Sequence, residues 1–270
     1  MDEFFPRSLR FNPYISFISR PLLQKIPFLL PHDKTYHGFS HLVNPGDGLF
    51  LDVGANDGIS AMGFYKIHRA YRIFSIEPNF YHETALKKVK NRIKNFDYKI
   101  IGAGSVRGQK ILYMPFYKDV PIYPAASFDL DHVKQAMIDQ FGDDLISHVT
   151  YAQKPVEIVR LDDLGLKPDI IKIDTEGFEY QVLLGLENTL KTQRPYVVFE
   201  FNPRFISGET GFLQSLGYRF FVYDIPSDRF KIFNPDQAQE WVGLGQFFFN
   251  VFCIPEEKAA NLPLKTEAIA

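Results

Sequence analysis

Four carboxylates, Asp52, Glu77, Asp174 and Glu200, stand at or next to the ends of short apolar runs. In an alternating α/β chain such runs are buried parallel strands, and ligands bind outside their carboxyl ends. The first run, Gly48-Leu-Phe-Leu-Asp52-Val, breaks into Gly54-Ala55-Asn56-Asp57-Gly58. Gly54 and Gly58 permit positive φ and a close approach of backbone to a ligand. A pyrophosphate would want bare amides there, yet Asp52 and Asp57 flank the turn. The spacing is also G-x-x-x-G rather than the dinucleotide G-x-G-x-x-G. Carboxylates suit a cation. S-adenosylmethionine, with its sulfonium and ammonium, is one such ligand; a plain tight turn with a helix-capping aspartate is the alternative. Glu77 follows Asp52 by 25 positions, where an acidic residue ending the second strand can accept bonds from ribose hydroxyls. It could equally be a surface carboxylate ahead of a helix. Gly102-Ala103 closes the third run with little bulk, leaving room for an adenine ring.

The second cluster is Lys172-Ile-Asp174-Thr-Glu176-Gly-Phe-Glu179. Asp174 ends a strand and Glu176 begins the next helix, so both should face the cleft. Transfer to a hydroxyl requires its proton to leave as the oxygen attacks, and a carboxylate in reach could take it or orient the group. Asp174 could instead cap the helix, and Glu179 reads as solvated or dipole-complementing. Asp174, Glu200 and Asn202 offer three oxygens from neighbouring strand ends, a set that could hold Mg²⁺. The spacing does not favour that use, so no metal site is assigned. The histidines show no paired metal spacing; His132 or His148 could serve as the base. No Ser-His-Asp or Cys-His arrangement is legible, and there is no Walker-type phosphate loop.

The elements that must position these groups alternate from Gly46 onward. Strands are expected at 49–53, 72–76, about 98–103, 169–174 and 196–201, with helices near 59–69 and around Leu86, Val89 and Ile93. A helix repeating Phe178, Val182, Leu186 and Leu190 follows the fourth strand, and another ends near 213–218. Runs at 110–115 and 156–161 are β-like. Runs 220–223 and 246–254 lack an intervening helix and predict an antiparallel pair. Between 116 and 154 lies an insertion with a helix near 131–146, a candidate substrate loop. Six prolines punctuate residues 1–45, an extension packed on the core or a lid, and 256–270 reads as a frayed tail.

Composition bounds the rest. A formal charge of −2 over 270 residues gives no broad electrostatic reason to expect nucleic acid or anionic lipid as partner. The basic side of the 86–94 helix reads as a solvated face. Cys253 is the only cysteine, so no disulfide forms within the chain. No signal sequence or bilayer-spanning run is visible. A cytoplasmic protein without stable membrane insertion is expected; its oligomeric state is open.

Taken together, Phe50-Leu-Asp-Val-Gly-Ala-Asn-Asp-Gly58, Ile76-Glu-Pro-Asn79, Val159-Arg-Leu-Asp-Asp-Leu164 and Asp169-Ile-Ile-Lys-Ile-Asp-Thr-Glu-Gly-Phe-Glu179, with Phe199-Glu200 downstream, resemble the FkbM-type S-adenosylmethionine-dependent methyltransferases. The resemblance runs from about Gly46 to Ile254. It implies a class I methyltransferase, Rossmann-like α/β fold: a seven-stranded, mostly parallel sheet whose last strand is antiparallel, with helices on both faces. Asp52, Gly54, Ala55, Asn56 and Gly58 would line the methionine part of the cofactor. Glu77, with Pro78 and Asn79, would hold the ribose, and Gly102 and Ala103 the adenine. Asp174, Glu176 and Glu200 would carry catalysis on the acceptor side. The implied activity is O-methylation of a sugar, glycan or other polar small molecule. A non-catalytic binding module or an NAD-dependent oxidoreductase on a related sheet are the rival readings.

Overall fold

The computed structural model describes residues 33–42, 46–141, 146–200, 206–237 and 250–264. Asn202, most of the N-terminal extension and the end of the tail lie outside them. The described residues form two sheets. The main sheet contains β1 (Leu49–Val53), β2 (Arg72–Ile76), β3 (Phe96–Lys99), β8 (Ile170–Ile173), β9 (Tyr196–Glu200), β10 (Tyr218–Asp224), β11 (Arg229–Ile232) and β12 (Asn250–Pro255). Their order is β11-β10-β12-β9-β8-β1-β2-β3. The parallel pairs β1–β2, β1–β8, β2–β3 and β8–β9 set the carboxyl ends of these strands along one edge. β12 runs antiparallel to both β9 and β10, as the resemblance implies for the last strand. The sheet has eight strands rather than seven, because β10 turns back through Ile225–Asp228 to add the edge strand β11.

All five residues of β1 are buried. Alternating side chains enter opposite layers: Leu51 and Val53 pack with α4 (Glu179–Leu184), α5 (Glu187–Thr192) and α6 (Ile206–Ser215). Phe50 packs on the other face with α1 (Ile59–Ile67) and α2 (Glu83–Arg92). Phe50 and Phe64 stack there at 3.9 Å between ring centres. A 3₁₀ helix, Lys34–His41, inserts Tyr36 and Phe39 into this same layer. No helix among the described residues is long and apolar enough to cross a membrane.

Four expectations need correction. The third strand of the main sheet ends at Lys99; Gly102–Ala103 is a separate strand, β4, of the second sheet, paired parallel with Ile158 and Val159. The segment 116–154 is the middle of a larger unit. β5 (Gly108–Tyr117) and β7 (Val149–Val159) form a long antiparallel ladder from Gly108↔Ile158 to Tyr117↔Val149. β6 (Val120–Pro121) extends it, and α3 (Leu130–Phe141) buries Val133 and Met137. The helix after β8 is broken in two. Gly185 sits where an added Cβ would lie 2.2 Å from the Gly104 carbonyl oxygen, and the chain bends to allow that approach. Asp162 then caps the second piece, accepting from Asn188 N and Thr189 N at 2.9 Å each. The tail also differs from a frayed end as far as residue 264. There α7 (Glu256–Ala259) and Leu262 pack down, and Phe230 N donates to the Pro263 carbonyl at 3.0 Å.

Candidate active site

The turn after β1 is fixed by its neighbours. Gly54 has φ +83°, and a Cβ there would fall 1.7 Å from the Asp174 carbonyl oxygen, so only glycine lets β1 and β8 meet at this point. Gly54 N and Ala55 N both donate to the Ile76 carbonyl, at 2.9 and 3.2 Å. Gly58 begins α1 with φ +83°, and Asp57 accepts from Ile59 N at 3.2 Å, which fills the capping role considered for this turn.

Glu77 laces the first two loops together. Its Oε2 accepts from Asn56 N at 2.7 Å and its Oε1 from Asn79 N at 2.8 Å. The carboxyl is pushed up to about 7 by burial, which the two amide bonds only partly offset. Two polar atoms beside it, Asn56 Oδ1 and Asn79 Nδ2, are buried with no hydrogen-bond partner among the described residues. Buried polar groups are normally satisfied, so an acceptor and a donor left over at one loop junction suit a polar ligand.

The crevice at this junction is lined by Gly54, Asn56, Glu77, Pro78 and Ala103 from the expected set. Ser127, Phe128, Thr175 and Phe178 also line it, and none of these carried a cofactor signal in the sequence. Its open volume is about 60 Å³, so its walls must part for anything of nucleoside size. Phe128, shortly before α3, and Phe178, immediately before α4, close it, with ring centres 5.4 Å apart. Gly102 is off this wall, against Ile158.

Asp52 is displaced from its expected place. It is fully buried on the α1 side of the sheet, where Ser60 Oγ and Ser75 Oγ donate to its Oδ2 at 2.7 and 3.0 Å. In the register it sits opposite Lys172 of β8. Burial raises its carboxyl, and the Lys172 charge works the other way. Asp52 thus supports the loop from beneath. Lys172 is buried too; burial alone would lower its ammonium, but Asp174, Tyr36 and Asp52 outweigh that and hold it above its ordinary range. Its Nζ donates to Asp174 Oδ2 at 2.8 Å.

Asp174, Glu176 and Glu200 do come together, with one carboxylate oxygen from each lying within 4.8 Å of the others. Asp174 is half-buried and the other two residues are exposed. Asp174 does not cap a helix, since α4 begins at Glu179 behind Phe178. Protein packed around its carboxyl, then the charges of Asp174 and Glu179, push Glu176 up to about 8, even though the residue keeps surface open to solvent. Desolvation and the charges of Asp174 and Glu176 do the same for Glu200. Glu176 has φ +52° and Gly177 φ +93°. That bend is held by Glu179, read in sequence as a solvated residue. Its buried Oε1 accepts from Thr175 N at 2.8 Å, Thr175 Oγ1 at 3.2 Å and Gly177 N at 3.3 Å.

The Methyltransferase FkbM domain matches residues 52–220, which span the crevice and the carboxylate cluster. The chain belongs to the FkbM methyltransferase family. Its fold is that of the class I S-adenosylmethionine-dependent methyltransferases. No curated protein matches this FkbM-family chain in sequence. Among solved structures, it is similar to a methyltransferase FkbM from Methylobacillus flagellatus at 15% identity and a TM-score of 0.49, covering 88% of this chain and 59% of that one. It thus spans 59% of that protein's length. It is also similar to a precorrin-6y C5,15-methyltransferase from Geobacter metallireducens, at 13% identity, TM-score 0.40, and 81% and 85% coverage. A third is Aeropyrum pernix fibrillarin, solved with natively bound S-adenosyl-L-methionine, at 9% identity, TM-score 0.41, and 81% and 73% coverage.

Proposed function

We propose that this protein is an S-adenosylmethionine-dependent O-methyltransferase acting on a hydroxyl of a sugar, glycan or similar polar small molecule. The observation that carries the cofactor half is the buried Glu77 carboxylate between two loops, with Asn56 Oδ1 and Asn79 Nδ2 unsatisfied beside it. Glu77 retains lone pairs for ribose hydroxyls, Asn56 and Gly54 border the methionine side, and Ala103 and Pro78 offer apolar surface to the base. When bound, the cofactor supplies a methyl group already activated by its sulfonium.

The chain's own residues must then hold the acceptor oxygen in line and accept its proton as the new bond to carbon forms. Glu176 and Glu200 suit the proton-accepting role, because a carboxyl raised to about 8 is matched to neutral pH. Lys172 gives Asp174 a buried counter-charge, so Asp174 orients the cluster. A reducing cytoplasm would suit the single cysteine. Calorimetry with S-adenosylhomocysteine tests the proposal: micromolar binding that weakens in Glu77→Ala is expected. No heat at millimolar ligand would end it.

A further inference from the structure

A second cavity opens beside the crevice and shares Ser127, Phe128 and Phe178 with it. At about 450 Å³ it is within the range of small-molecule sites. Its walls are Lys110 and Tyr113 of β5 with Asp129 and His132 at the start of α3, and Glu176, Phe178 and Gln181 at the start of α4. Glu176 lines it, with a carboxylate oxygen of Asp174 and one of Glu200 within 4.8 Å of one of its own. Lys110 Nζ lies 5.1 Å from the centre of the Phe178 ring. No carboxylate among the described residues pairs with it. Asp129, the other acid of the lining, is committed locally: its Oδ1 accepts from Asp131 N at 2.9 Å and His132 N at 3.2 Å at the start of α3. The cavity therefore offers a cation without an anionic partner among the described residues, in a space that Glu176 also lines.

We propose that this cavity is the acceptor subsite and that Lys110 recognises an anionic substituent, a carboxylate or phosphate, on a hydroxyl-rich ring. The inference rests on the methyl-transfer reading above. Lys110 attracts the acidic group to itself, which leaves a neutral hydroxyl of the acceptor for Glu176 and Glu200. The Phe178 face, already beneath the ammonium, is a platform for the ring.

Binding of D-glucuronate, D-glucose 6-phosphate and D-glucose to the full chain, with and without S-adenosylhomocysteine, tests this by ligand-observed NMR titration. One or both of the acidic sugars should bind at least about tenfold more tightly than glucose, and about 0.3 M salt should weaken that binding several-fold. Lys110→Gln should remove the preference and Lys110→Glu should exclude the acidic sugars. Lys167→Gln, which changes charge equally at the opposite end of β8, should leave it intact. Glucuronate binding alone would assign a carboxylate, and glucose 6-phosphate alone a phosphate. Equal binding of all three sugars, binding of none, or a preference unchanged in Lys110→Gln would overturn the proposal. S-adenosylhomocysteine affinity, measured on the same samples, reports separately on the methyl-transfer reading and should be unchanged in Lys110→Gln.

Discussion

The rim of the main sheet and the wall supplied by the second sheet face the same crevice but are held in opposite ways. On the rim, backbone amides are pinned by buried carboxylates: Glu77 takes Asn56 and Asn79, and Glu179 takes Thr175 and Gly177. On the opposing wall, the Lys110 side chain lines open volume and lies over a ring face. A cofactor common to a family asks for preorganised loops, since geometry must be right before any acceptor arrives. An acceptor that differs among members asks for a surface whose side chains can change without disturbing the sheet. The two constructions match those two demands.

Substitutions should therefore be severe on the rim and mild on the wall. Gly54→Ala should be worst: with positive φ and a carbonyl 1.7 Å from the new Cβ, β1 and β8 must separate. A loss above about 3 kcal/mol, seen as insoluble or molten protein by circular dichroism, is expected. Lys172→Met comes next, because it strands Asp52 and Asp174 without their counter-charge. Urea unfolding should show about 3–5 kcal/mol lost, with part recovered when Asp52→Asn is added. If the single and double variants unfold alike, the Asp52–Lys172 coupling is absent.

Glu77→Ala should fold, yet weaken S-adenosylhomocysteine by about 10- to 100-fold, since two amides and the proposed ribose contacts lose their acceptor. Glu179→Ala should cost about 1–2 kcal/mol of stability and lower kcat through the loosened Glu176 bend. It should leave cofactor affinity within about twofold; a larger drop would show that the two loops are not independent.

The smallest effect is on pH. Glu77, Glu176 and Glu200 have carboxyls raised from 4.5 to about 7, 8 and 8. A raised acid favours the folded state when protonated, so its contribution is full below about 4.5 and fades as pH climbs through 7 to 8. Tm should thus fall modestly between pH 6 and pH 9, and Glu200→Gln should flatten that slope. A Tm that rises over this interval would contradict the sign.

What could be read in the sequence follows the same division. β1, β2, β8 and β9 announce themselves as apolar runs because both faces of the sheet are covered. The turn glycines and Glu77 stand out at the ends of those runs. Asp52 misleads for the same reason: a strand buried on both faces has no alternation to reveal which way its one acid points. Glu179 misleads because a glutamate in the first turn of a helix ordinarily faces water. The second sheet was hidden by its own exposure. In β5 the first four residues are exposed and the later ones mixed, so it reads as a loop with β-like fragments. Ser127 and Phe128, which wall the crevice, lie between β6 and α3 and bear no motif.

The position of β12 has a consequence for how the molecule assembles. It lies between β9 and β10, both of which precede it in the chain. Until Asn250–Pro255 slides into that slot, β9 keeps an open edge and the β10–β11 hairpin has nothing to dock on. Closure of this half of the sheet therefore waits on the last strand in chain order, an event that leaves sticky strand edges bare in the interim. A helper that shields β9 during synthesis would act at this one seam.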